Sequence, residues 1–336
     1  MEKIIKRLIS PDELNEDWDK LANCYFQKKE FLAHLHAFNP CSQRYYELYC
    51  NTILVAATVV YTLRINIFTF ANIPSPLSLQ VIGLPVSVAS PPIIGDSSEF
   101  EYFLAELIKS EPGIILGINF LEDYLQGKVL NLRTLPTITL EQKSESIATY
   151  ENSLRHAYRR RIHKIREKFT DVSSVTTSCS FFSDEHYALY LEIIRHTTTK
   201  LETLSLDSFK FLPSNFLLTT YTVSGKILCW NIVCMDENVL FFYFGGMDYS
   251  LRDLYQAYNN NLLGILETAI GLKYSMVDFG QTAEIAKTRL GGKLSERRMF
   301  LYHRNSLVLG LLKLSRKLIS YSTITENSHV FSVKTD

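Results

Sequence analysis

Residues 272–294, LKYSMVDFGQTAEIAKTRLGGKL, constrain the fold more than any other stretch, because an apolar, β-branched run is cut off by a glycine and followed at once by a helical pattern. Residues 274–279 read as a strand, Gly280 and Gln281 end it, and Thr282 and Glu284 supply polar groups where a helix begins. Lys287 and Arg289 lie on or just beyond that helix, before the Gly291-Gly292 break. One reading is a capped helix with a solvated basic face. The other is a polar focus at a cleft, with the Asp278 carboxylate at the strand end facing Lys287; a plain salt bridge between the two would leave it without chemistry.

A chain of 336 residues with 46% apolar and 12% aromatic side chains has material for two buried cores. Lys plus Arg and Asp plus Glu balance at 35 each, so no global field draws in nucleic acid or an anionic surface, and any anion site is local. The six cysteines are scattered, with no CxxC pair, which suggests reduced thiols, a cytoplasmic setting and no metal. The opening MEKIIKRLIS has no apolar signal-peptide core, and nowhere do about eighteen uncharged apolar residues run together, so neither a signal peptide nor a transmembrane segment is expected.

In chain order, Ser10-Pro11-Asp12-Glu13 starts a helix carrying Leu14, Trp18 and Leu21, and a second helix spans 29–37. Strands follow at 45–49, 53–61 and 65–71. The proline-rich segment 73–96 reads as edge strands and loops, because proline lacks the N–H that a central ladder needs. A helix at 98–110 and strands at 113–120 and 135–140 complete a first domain, 1–143. The second, 144–336, opens with a helix over 144–169, whose stripe is Leu154, Tyr158, Ile162, Ile165 and Phe169. A strand at 172–182, helices at 184–199 and 205–212, antiparallel strands at 217–222, 225–235 and 239–245, a long helix at 254–271 and a last strand at 298–304 follow. The fold class is α/β in a mixed, α+β sense, and the second half repeats the first in outline.

The 144–169 helix is basic on its other faces, with seven Lys or Arg against two Glu between 151 and 170. Such a face is either simply solvated or a clamp for phosphate groups, for which guanidinium groups one turn apart are suited; nucleic acid is disfavoured because no stacking aromatics interleave the charges.

The second half resembles the acyltransferase domain of the Gcn5-related N-acetyltransferase (GNAT) superfamily, in the branch of FemX-like proteins and BioF2-type acetyltransferase domains. The resemblance lies in LRHAYRRRIHKIREKF after an extended LPTITL, then LYLEIIRHTTTK, FFYFGGMD, YNNNLLGILETAIGLKYSMVDFG and KTRLG, with weaker matches in NCYFQKKEFLAHL and VIGLPVSVASPPIIG. It covers nearly the whole chain, and the order of the motifs is more specific than any one of them. It departs from the superfamily after 239–245, where GGMDYSLRDLYQA stands in place of the usual pyrophosphate loop. The resemblance implies two GNAT-like domains, each a mostly antiparallel sheet flanked by helices, the first shaping an acceptor cleft and the second binding acyl-CoA as co-substrate.

On that resemblance, Asp278, Lys287, Asp248 and Tyr243 are the catalytic candidates. Phe244, Gly245, Gly246, Asn259, Asn260 (with Asn261) and Arg289 are the donor-binding candidates. Arg44, Arg155, Arg159, Thr198, Lys200 and Gln281 are the acceptor-binding ones. The implied activity is an N-acyltransferase acting on a nucleotide-linked amino sugar for surface polysaccharide. The alternatives are a FemX-like transferase using aminoacyl-tRNA on a peptidoglycan precursor, against which the lack of a long heptad run counts, and a non-catalytic binding module. A homo-oligomer is compatible with either enzyme reading.

The terminal run 307–321 places Leu307, Leu311, Leu314 and Leu318 on one helical face, with Lys313, Arg316 and Lys317 on others. That face is expected to dock on the second domain's sheet; the alternative is an acidic membrane surface.

Overall fold

The computed structural model describes residues 2–71, 73, 76–86, 88–197, 202–323 and 329–332. Its chain order is β1 (Lys3–Leu8), α1 (Trp18–Leu21), α2 (Lys29–Phe38), β2 (Gln43–Cys50), β3 (Ile53–Asn66), β4 (Pro76–Ile82), β5 (Ile93–Gly95), α3 (Phe100–Ser110), β6 (Ile114–Phe120) and β7 (Leu130–Glu141). Then come α4 (Ile147–Ser153), α5 (His156–Glu167), β8 (Ser173–Ser178), α6 (Asp184–His196), α7 (Leu206–Lys210), β9 (Phe216–Val223), β10 (Lys226–Asp236) and β11 (Val239–Met247). The chain closes with α8 (Ala257–Gly271), β12 (Met276–Asp278), α9 (Glu284–Thr288), β13 (Lys293–Tyr302), α10 (Ser306–Leu314) and α11 (Arg316–Ile319).

Two compact units form. The first is Met1–Leu135, Thr198–Ser208 and Glu296–Ser322; the second is Pro136–Thr197, Phe209–Ser295 and Thr323–Asp336. The single boundary expected at 143/144 is therefore replaced by a division that returns the end of β13 and the last helices to the first unit. In the first, the strand order is β1-β2-β3-β4-β6-β13, with β5 on β3. In the second it is β8-β9-β10-β11-β12-β7. Both follow one pattern: three antiparallel pairs, one parallel pair (β4 with β6, β11 with β12), and one antiparallel strand that comes from the other half of the sequence. The outline repeat in the sequence is a real structural repeat, and the last strand named in each order is exchanged between the halves of the sequence.

Several elements differ from their sequence expectation for identifiable reasons. The proline-rich segment contributes an interior strand, since β4 lies between β3 and β6; Pro76 sits at its first position and residues 77–82 contain no further proline. The strands expected at 53–61 and 65–71 are one strand to Asn66 followed by a single 3-10 turn. The 144–169 helix is broken at Leu154, which forms a bridge with Phe331, while the Arg155 N–H donates to the Val330 carbonyl at 2.9 Å. Residues 3–8, read only as too polar for a signal core, pair with β2. The C-terminal helices dock on the first unit and by the opposite face from the one expected: Leu312 and Ile319 are buried with Leu63, Ile67 and Leu79. Among the described residues no helix is long and apolar enough to cross a membrane.

The core of the second unit is built where α8 lies on the sheet, with Leu262, Leu263, Leu266, Ala269 and Val277 buried together. Gly264 allows the close approach, since a Cβ there would stand 1.9 Å from the Tyr221 hydroxyl oxygen. Gly264→Ala is expected to destabilise the protein by about 1–3 kcal/mol through overpacking, read as a lower urea midpoint at unchanged m value.

Candidate functional site

In the second unit, β12 makes three parallel pairs with β11, the last being Phe241 with Asp278, and then turns away. β11 runs on to Met247, and beyond Phe241 no strand pairs with it on that side among the described residues. The divergence is one-sided, because the chain after β12 stays bonded to β7: Phe279 N–H donates to Ile138 O at 2.9 Å and Ile138 N–H donates to Gly280 O at 3.2 Å. β11 is also irregular here. Its register against β10 shifts between Ile232 and Val233, which face Phe244 and Phe242, so Tyr243 is a bulge residue with no opposite number.

The backbone N–H and carbonyl of Gly280 join the groups at the mouth of this divergence. Its N–H donates to Asp278 Oδ1 at 2.7 Å, and the same oxygen accepts from Thr137 Oγ1 at 2.6 Å. Its carbonyl accepts from Lys287 Nζ at 3.1 Å, and the carbonyl of Gln281 accepts from the same amine at 2.6 Å. The loop is strained: Gly280, Thr282 and Ala283 all have left-handed φ values of 71°, 65° and 49°. Such a conformation suits glycine but costs about 1–3 kcal/mol at a β-branched residue like Thr282. Lys287 is 1% exposed on α9. Burial pushes its amine down to about 7, against the opposing pull of the Asp278 and Glu284 carboxylates.

Asp278, Gln281 and Lys287 are thus brought together, and Arg289, half-buried, ends α9 two residues on. Thr137 was not foreseen, because it comes from β7, 141 positions away from Asp278, and nothing in its local pattern marks it. Gly245 and Gly246 lie on the unpaired length of β11, as expected, and so does Phe244. Packing also demands the glycines: a Cβ on Gly246 would meet the Trp230 Nε1 at 2.2 Å, and one on Gly245 the Trp230 carbonyl at 3.0 Å.

Other expected residues have different work. Asp248 closes a turn by accepting from Ser250 N at 2.8 Å and Ser250 Oγ at 2.6 Å. Tyr243 is buried, its ring packed edge-on against Phe216 and Phe244. Asn260 donates to the carbonyls of Ile165 and Tyr255, each at 3.0 Å, and Asn261 joins Asn231 at 2.6 Å and the Trp230 carbonyl at 3.1 Å. Both are therefore core amides, not phosphate ligands. Asn259 Nδ2 donates to Gln256 Oε1 at 2.9 Å beside the start of α8.

The cations expected for the acceptor are dispersed. Arg44 is inside the first unit, where its guanidinium meets Glu111 at 3.1 Å and also bonds Gln80 and Thr62, so it does not present to a ligand. In the second unit Arg155 Nε donates to Phe331 O and Arg159 Nη2 to Leu154 O, each at 3.2 Å, so these side chains brace the break between α4 and α5. Thr198 and Lys200 lie outside the described residues. His186, which the sequence did not single out, is buried in the second unit with Nδ1 near Ser183 Oγ at 2.7 Å and Nε2 near Thr220 Oγ1 at 2.8 Å; burial pushes it down to about 4, so it is a neutral capping residue. No group of three or more His, Cys, Asp or Glu gathers to hold a metal among the described residues.

No protein-family model matches this chain, and no curated protein does. Solved structures do. The crystal structure of FemX aligns with a TM-score of 0.54 at 11% identity, over 93% of this chain and 100% of that one. A tandem GNAT protein from the clavulanic acid biosynthesis pathway aligns at 0.48 and 10% identity, over 89% and 98%. A conserved protein of unknown function from Bacteroides thetaiotaomicron VPI-5482 aligns at 0.48 and 11%, over 81% and 89%. At such identities the likeness is one of fold. This chain has the FemX-like, two-domain α/β fold that its motif order implies.

The buried amine predicts a pH dependence. With its folded pKa near 7 and an ordinary value of 10.5 when unfolded, the unfolded chain holds one more proton between those limits, so stability rises with pH there. The slope should approach about 1.4 kcal/mol per pH unit. It should be read below pH 9, since burial raises the Cys41 and Cys179 thiols to about 12 and they act in the opposite sense above their ordinary value of 9.0. Thermal melts between pH 7 and 8.5 should show a rising Tm in the wild type and a flat one in Lys287→Met.

Proposed function

We propose that this protein is an acyl-CoA-dependent N-acyltransferase that acylates the amino group of a nucleotide-linked amino sugar. The observation that carries the reading is the divergence of β12 from β11 after Phe241, with the bulge at Tyr243. The pantetheine arm of CoA is an extended chain with two amides, and it would pair with the uncovered edge of β11 as an added strand does. Backbone N–H groups around Phe244, Gly245 and Gly246 are the proposed donors to the thioester oxygen as charge develops on it. The amine lone pair attacks the thioester carbonyl; a C–N bond forms, the C–S bond breaks, the amine gives up a proton to a base, and the thiolate takes one up. No nucleophilic side chain is required. Asp278 and Lys287 act as positioning residues that fix the Gly280 loop at the mouth of the divergence. Asn259 and Arg289 are the side chains proposed to meet the donor's phosphates.

The acceptor's diphosphate is supported by the exposed basic face of α5, where Arg160 and Lys164 face solvent, and not by Arg44. Gln281 is the other group of the second unit proposed for the acceptor. The fold match over the full length of FemX favours a second reading, in which the activated acyl group is an aminoacyl ester on tRNA and the same attack occurs at an ester carbonyl.

A thiol-release assay with several acyl-CoAs against a panel of amino-sugar nucleotides separates the two. The first reading expects CoA release that depends on the acceptor, and heat on titration with CoA. It fails if neither appears, and the second takes its place if aminoacyl-tRNA is deacylated instead. Asp278→Ala removes two hydrogen bonds to a charged group, about 1.5–3 kcal/mol each, so kcat/KM for acyl-CoA is expected to fall at least tenfold. An unchanged kcat/KM would mean that the loop has no part in the reaction.

A further inference from the structure

The C-terminal helices leave an apolar stripe uncovered. Leu307, Leu311, Leu314 and Leu318 are 77%, 64%, 84% and 43% exposed. Ser315, at φ −82° and ψ 6°, separates α10 from α11; within α10, at about 100° per residue, Leu307, Leu311 and Leu314 fall within an arc of about 60°. Their neighbours Leu312 and Ile319 are buried in the first unit, so the helices are held firmly while this face points out. Residues 303–321 contain Arg304, Lys313, Arg316 and Lys317 and no Asp or Glu. Lys313 and Arg316 line a cavity of about 390 Å³ with Gln126 and Asn131 of the first unit, Lys313 lying about 130° around α10 from the centre of the stripe. None of this belongs to the site at β12.

We propose that α10 and α11 form an interfacial docking face for an anionic lipid bilayer, the leucines entering the acyl boundary and the lysines and arginines of the segment drawing it to the anionic headgroups. One observation selects this occupant over another protein: the charge of the segment that carries the stripe is of one sign, complementary to an anionic surface. Neither apolar contact nor charge alone suffices at this size; together they supply the two signals that stable anchoring needs.

The test is co-sedimentation of the full chain with vesicles of three parts phosphatidylcholine to one part phosphatidylglycerol, beside pure phosphatidylcholine. Binding to the anionic vesicles only is expected. It should weaken by about fivefold for each cation removed in Lys313→Gln and Lys317→Gln. It should weaken tenfold or more, by about the burial of two side chains, in the double variant Leu311→Ser and Leu314→Ser. Those positions are exposed, so the variants should keep the wild-type Tm, which separates lost docking from lost folding. No binding to anionic vesicles, or binding that the leucine variant retains, overturns the proposal. So does a concentration-dependent dimer that the same leucine variant abolishes, which would make the stripe an interface between copies of this chain. Each readout is independent of acyl transfer, so its failure leaves the catalytic reading untouched.

Discussion

The arrangement at β12 depends on the backbone of one residue, Gly280. The Gly280 N–H is held by Asp278, and its carbonyl is shared between the Ile138 N–H and the amine of Lys287. The loop that follows contains two residues other than glycine in the left-handed region, and such a loop persists only where its surroundings over-determine it. Thr137, Asp278 and Lys287 supply that restraint from three separate elements, β7, β12 and α9. A buried charged amine is costly, and that cost is what lowers the pKa of Lys287 to about 7 while its hydrogen bonds go to two backbone oxygens. The consequence is a strand that leaves β11 at a fixed point while remaining bonded to β7.

That second attachment is possible only because the sheets exchange strands. β7 comes from the first half of the sequence and completes the second unit, while β13 comes from the second half and completes the first. Neither unit can be built from a contiguous stretch, so its last pairing carries a large loop-closure cost and forms between residues far apart in sequence. Thr137 reaches Asp278 by this route.

Glycines and asparagines that resemble a donor-binding signature owe part of their presence to a large aromatic core. Trp230 is fully buried, donates its Nε1–H to the His186 carbonyl at 2.9 Å and lies against Phe182 and Phe209. Its ring occupies the space that a side chain on Gly246 would need, and its carbonyl is satisfied by Asn261. A bulged strand over a wide indole thus needs small residues opposite it and a buried amide beneath it, whatever passes along its free edge.

Local pattern was enough to place β9, β10, β11, α2 and α8, although α8 is buried nearly all round and not on one face, and to mark Asp278 and Lys287 as a polar focus around a glycine turn. It also carried the outline repeat and the motif order of a FemX-like fold. Only the tertiary structure could decide the rest, because the deciding contacts join distant residues. The end of the chain splits the helix at Leu154, β3 and β6 take β4 into the sheet interior, Glu111 removes Arg44 from any ligand, and the first unit's core chooses Leu312 and Ile319 over the leucine stripe. Amphipathic spacing identifies the two faces of a helix, but which face is covered depends on the shape and apolar area of what it meets, and that is fixed only when both units have closed.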